Sequence, residues 1–104
     1  MSTSMGARAD DEPDLSDIRR RLDTVDEQLV DVLRDRGQLI AEVIRYKRAQ
    51  GMAVVDRSRE DDMLARIAAL ATAKGLDPRI ATQVLRAVID AFTLLEVEQL
   101  GDGR

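Results

Sequence analysis

The run Leu15-Ser-Asp-Ile18-Arg-Arg-Arg-Leu22-Asp-Thr-Val25-Asp-Glu-Gln-Leu29-Val-Asp-Val32 decides how this chain folds. Its apolar residues recur at alternating steps of three and four, which is one stripe of an α-helix. The same series continues through Arg36, Leu39, Val43 and Tyr46, so one helix is expected from about Leu15 to about Gln50, with a large cation set into its stripe at Arg36. Asp14 or Ser16 is placed to cap its start and Gly51 to end it. Before it, residues 1–13 mix Ser, Thr, Gly, Ala and Asp without an apolar period and read as a disordered tail.

After Gly51 a connecting loop leads to Asp56 or Ser58, either of which can cap a second helix with Met63, Leu64, Ile67 and Leu70 as its apolar face. Lys74-Gly75 closes that helix. Asp77-Pro78 opens a third, with Asp at the cap and Pro at the first helical position, and it runs to about Leu100. No stretch alternates with period two, so no strand is expected. The reading is an all-α, three-helix chain, with residues 14–104 as one helical domain. At a rise of about 1.5 Å per residue, the first helix is about 54 Å long and the other two about 27 Å and 34 Å. Two short helices cannot wrap a rod of that length, and pairing of the long helices of two copies is the simplest remedy. The expected assembly is an intertwined homodimer.

Composition narrows the chemistry. The 104 residues include no Cys, no His and no Trp, one Tyr and one Phe, with 16 basic against 20 acidic residues for a net charge of −4. Zinc and transition-metal sites lack their usual ligands. Ser-His and Cys-His nucleophilic pairs are impossible. Two aromatics are too few for a stacking platform on single-stranded nucleic acid, and the acidic balance argues against tracking a phosphate backbone. No segment approaches the roughly 20 apolar residues of a membrane span, and no apolar signal core is present near the start, so the expected location is cytoplasmic.

Function in a helical bundle is written in charges that lie on apolar faces. Arg36 interrupts the first stripe, and Lys47, 11 residues later, returns to the same face about 16 Å along the axis. Taken alone, each reads as a side chain that snorkels to water or pairs with a nearby acid such as Asp35. Arg19 lies 17 residues before Arg36, about 25 Å away along the helix, so it could serve the same pocket only from a second copy. Otherwise it is a surface residue in the run Arg19-Arg20-Arg21. Arg59 and Glu60 follow Asp56 at the start of the second helix. The acid is an ordinary partner for the helix dipole, whereas the Arg is not favoured there. Glu96 extends the stripe Leu85, Ile89, Phe92 of the third helix. It is either a Glu that bends out to water or a buried carboxyl able to donate a hydrogen bond.

The pattern Ile18-Arg19-x-x-Leu22-Asp23-x-Val25-Asp26-x-x-Leu29-x-x-x-Leu33-x-x-Arg36 resembles the first helix of the all-helical class of chorismate mutases. Tyr46-Lys47-Arg48 falls where that family carries its lysine, and Asp56-Arg57-Ser58-Arg59-Glu60 is similar to the beginning of its second helix. The resemblance implies an intertwined dimer that rearranges chorismate to prephenate by a [3,3] shift, without a cofactor. Carried over, it implies that Arg36, Arg59 and Arg19 of the second copy hold the two substrate carboxylates. Lys47 would meet the ether oxygen, and Asp56 and Glu60 the hydroxyl on ring carbon 4. Two positions depart from the usual pattern. Phe92 stands where many members have a small hydroxyl residue near carbon 4, and Glu96 where many have a Gln that donates to the ether oxygen. An ionised Glu96 would repel the charge that develops there, so it must carry a proton to help.

The carbon-4 departures make a mutase for 4-amino-4-deoxychorismate the nearest alternative, with isochorismate pyruvate-lyase a further relative. The resemblance also leaves room for an activating partner enzyme of the aromatic pathway. The non-enzymatic alternative is a helical dimerisation module, which accounts for the stripe and the caps but not for the charges at positions 36 and 96.

Overall fold

A computed structural model of the chain describes residues 14–53 and 56–100. The expected tail, residues 1–13, lies outside them, as do the loop residues 54–55 and the end, 101–104. The described residues form three α-helices, α1 (Leu15–Gln50), α2 (Arg57–Ala73) and α3 (Pro78–Leu100), and no strand.

Each boundary has a local cause. Asp14 caps α1, its Oδ1 accepting from the Ser16 N–H at 3.1 Å. Asp56 caps α2 in the same way, accepting from the Arg59 N–H at 3.1 Å. Asp77 caps α3, accepting from the Arg79 N–H at 2.9 Å, and Pro78 takes the first helical position, where a missing N–H costs nothing. α1 and α2 end alike. Gly51 and Gly75 adopt φ of 68° and 82°, and the residue after each returns its N–H to a carbonyl five residues back, Met52 to Lys47 and Leu76 to Ala71. This closure needs a left-handed residue, which glycine supplies without a Cβ clash.

The chain divides within α1 into two compact units, one ending at Arg36 and the other beginning at Gly37. The described part of the first is helix alone. Its ion pairs, Arg20–Asp17 at 2.6 Å and Arg34–Asp35 at 3.0 Å, lie on the surface and contribute little. Its stripe of Leu15, Leu22, Val25, Leu29 and Val32 is exposed, each side chain by more than 50%.

In the second unit α2 and α3 pack together. Among the described residues they are the one pair of helices whose Cα atoms approach within 8 Å. The small buried side chains Ala71 and Ala81 permit that approach. With Ile44 and Ile89 they make up the buried apolar core, and no large side chain is fully enclosed.

Leu39, Val43 and Tyr46 continue the apolar stripe of α1 through its second half. All three are exposed, whereas Ile40, Ile44 and Lys47, one residue further on, are drawn in. The two rows are about 100° apart on the helix, and both are largely apolar, so periodicity alone does not choose between them. The row drawn in is the one holding Lys47, which meets a carboxylate on α3.

The Arg79 guanidinium, and then its backbone N–H, hold the Asp77 carboxyl below its usual range. A carboxyl lowered in the folded state stabilises the fold at neutral pH and loses that effect as pH falls. The melting temperature of the native chain should therefore exceed that of Asp77→Asn at pH 7. The gap should narrow as pH is taken below about 4, the ordinary carboxylate range. Thermal melts followed by circular dichroism across this interval test it.

Candidate active site

Lys47 and Glu96 form the most deeply buried ion pair among the described residues. Lys47 Nζ donates to Glu96 Oε2 at 3.0 Å, with the two side chains 17% and 9% exposed. α1 and α3 supply them from positions 49 residues apart. Glu96 therefore turns inward along its stripe, and the alternative that it bends out to water is excluded. Next to this pair Arg48 donates to the Gln99 carbonyl at 2.9 Å, placing a cation on the last turn of α3, where the helix dipole favours it.

Four residues earlier along α3, the Phe92 ring lies against Gly37. A Cβ built on Gly37 would stand 3.3 Å from Phe92 Cε1, so the absence of a side chain at position 37 is what makes room for the ring. A cleft of about 210 Å³ opens nearby, lined by Gly37, Ile44, Arg45, Arg48 and Leu95 among others. Neither Lys47 nor Glu96 lines this cleft.

The second buried acid is Glu60, in the first turn of α2. Its Oε1 meets Arg86 Nη1 of α3 at 3.3 Å and Arg57 Nη1 of its own helix at 3.5 Å. Arg86 also lies 3.7 Å from Asp90. Asp56 and Arg59 are exposed and are joined by the cap that begins α2. In the first unit, Arg36 is half-buried and Arg19 exposed. Asp35, which the sequence offered as a partner for Arg36, is engaged by Arg34.

The structure thus brings Lys47 and Glu96 into contact, encloses Glu60 and sets Phe92 against α1. Sequence reasoning missed Arg86 and Gly37. Arg86 meets Glu60 across 26 residues, and Gly37 matters only because a ring from another helix rests on it. Neither carries a local signal. Among the described residues no group of three Asp or Glu side chains is arranged to hold a metal ion, and no helix is long and apolar enough to cross a membrane.

Comparison with known proteins is decisive at this point. Residues 18–97 match the family described as Chorismate mutase type II. The chain belongs to that family. The matched segment includes Arg19, Arg36, Lys47, Glu60 and Glu96. The T-protein of Enterobacter agglomerans is 37% identical over 76 residues, which is 73% of this chain and 20% of that protein. The bifunctional chorismate mutase/prephenate dehydratase of Escherichia coli strain K12 is 31% identical over 79 residues, 76% of this chain and 20% of that protein. A chorismate mutase of Methanocaldococcus jannaschii is 24% identical over 86 residues, covering 83% of this chain and 87% of its own length. The chain thus spans about a fifth of the T-protein and of the bifunctional enzyme, and nearly all of a stand-alone relative. No solved structure matches it significantly.

Breaking the buried pair from one side should cost more than removing it whole. Lys47→Met leaves the Glu96 carboxylate without its cation and should destabilise the chain by about 3 kcal/mol, whereas Lys47→Met with Glu96→Met should recover most of that loss. Urea unfolding of the three proteins measures both steps.

Proposed function

We propose that the chain is a chorismate mutase that converts chorismate to prephenate by a [3,3] rearrangement. The observation that carries the reading is the enclosed Lys47–Glu96 pair, in a chain whose residues 18–97 match the family. In the reaction the ether C–O bond breaks as a C–C bond forms, and no atom enters or leaves. A step of this kind needs neither a nucleophile nor a metal, which suits a chain without Cys or His.

What the protein must supply is restraint and charge. The substrate is a flexible dianion that reacts only when folded, so holding it in that shape removes much of the barrier. Arg36 and Arg59, with Arg19 of a second copy, are the groups we assign to the two carboxylates, since a guanidinium grips a carboxylate at two points. Lys47 is assigned to the ether oxygen, where negative charge grows as the bond stretches. A fixed ammonium at that point favours the transition state over the ground state. Asp56 and Glu60 are assigned to the group on ring carbon 4, with Phe92 beside them. Glu96, which accepts from Lys47 Nζ at 3.0 Å, is assigned to the same ether-oxygen end of the site.

The pocket so described draws on two chains. A homodimer is supported by the exposed stripe of Leu15, Leu22, Val25, Leu29 and Val32, since a surface of that kind is normally covered. A cytoplasmic location and an activating partner enzyme of the aromatic pathway belong to the same proposal. The absence of Cys accords with the former, and the joining of mutase to dehydratase named in the Escherichia coli relative accords with a partner in the same pathway. A preference for 4-amino-4-deoxychorismate is the second reading, favoured by the aromatic ring that stands at position 92 in place of a hydroxyl residue.

The test is turnover by the purified chain, followed as loss of substrate absorbance, with chorismate and its 4-amino analogue side by side. Arg36→Ala and Lys47→Ala should each lower kcat/KM by at least about a hundredfold, the usual worth of one transition-state contact. Sedimentation should show that both variants remain dimers. A native chain without turnover, in which both substitutions change stability alone, would instead identify a dimerisation module.

A further inference from the structure

We infer that Arg86 is a positioning residue that fixes the Glu60 carboxylate and, through it, sets the preference of the site for a neutral group over a cationic one at ring carbon 4. The inference rests on the proposed function for its substrate, but its structural half stands on geometry alone.

Glu60 is buried, with a side chain 11% exposed, and an enclosed carboxylate must be held by a cation or by donors. Two guanidiniums reach it, and they are not equivalent. Arg57 is 80% exposed and approaches from the same helix at 3.5 Å, so water and its own freedom weaken its hold. Arg86 is 39% exposed, comes from the facing helix and donates a hydrogen bond at 3.3 Å. It is steadied in turn by Asp90, 3.7 Å away and one turn further along α3. Arg86 is therefore the group that ties the first turn of α2 to α3 and limits the directions in which the carboxylate can point.

Both guanidinium contacts are made to Oε1. Oε2 is the oxygen we assign to the ligand. A hydroxyl can donate to it without penalty from the neighbouring cation. An ammonium group brought to the same oxygen would stand close to the Arg86 charge and be repelled by it. Discrimination then comes from a repulsive element set against the wrong ligand as much as from attraction to the right one. Phe92, which offers no hydrogen bond, leaves this carboxylate to carry more of the polar recognition at that end.

The experiment compares Arg86→Gln and Arg86→Lys with the native chain. kcat/KM is measured on chorismate and on 4-amino-4-deoxychorismate, and Glu60 is located in crystals of Arg86→Gln. Arg86→Gln should lower kcat/KM on chorismate about tenfold, the scale of one hydrogen bond to a charged group. It should also move the chorismate-to-amino ratio at least severalfold toward the amino substrate. Arg86→Lys should keep most of the native ratio. In a Glu60→Gln background, Arg86→Gln should have no further effect on the ratio, because the carboxylate it serves is gone. An unchanged ratio in Arg86→Gln, even with a lowered melting temperature, overturns the specificity role. A Glu60 side chain that keeps its place in the Arg86→Gln crystal overturns the positioning role. A native chain that turns over neither substrate overturns the proposed function and the specificity with it, and the crystal alone then decides whether Arg86 positions Glu60.

Discussion

A lysine and a glutamate enclosed together must be brought together accurately, and the second unit is organised around that requirement. Lys47 and Glu96 meet at 3.0 Å from helices whose backbones do not come within 8 Å of each other. The two side chains span the gap, and their mutual neutralisation is what allows either to leave water. The pair lies on the row of α1 that faces inward, with Ile44, and meets the last turns of α3. A polar contact of this kind adds little net stability compared with a well-packed apolar one, but it specifies register. It also leaves charge where a small anionic ligand can compete for it.

Helix boundaries were legible in the sequence because each is decided by one or two residues acting on their own backbone. Asp14, Asp56 and Asp77 cap with their side chains, Pro78 sets its own φ, and Gly51 and Gly75 turn left-handed, so all three helices run where the residues say they do. Packing was less legible. α1 carries two apolar rows side by side in its second half, and only a partner on α3 tells them apart. Glu96 was balanced between water and burial for the same reason, since its neighbours along the helix describe the stripe but not what lies opposite. Arg86 and Gly37 gave no sign at all. Their roles exist only across a gap, one toward Glu60 and the other toward the Phe92 ring.

The family pattern read from the first helix and the Asp56–Glu60 segment is matched by the comparison over residues 18–97. What the pattern does not convey is how the two buried acids are neutralised. Glu96 is met by a lysine that the pattern contains. Glu60 is met chiefly by an arginine that lies outside every motif quoted for it, half-exposed on α3. One buried acid is therefore met from within the shared pattern and the other from outside it.

The missing methyl at position 37 ties two distant sites into a single unit of inheritance. With only 3.3 Å between a would-be Cβ and the Phe92 ring, a larger residue at one position becomes tolerable when the other shrinks. A small hydroxyl side chain at 92 would vacate the socket, and a side chain at 37 would then meet no ring.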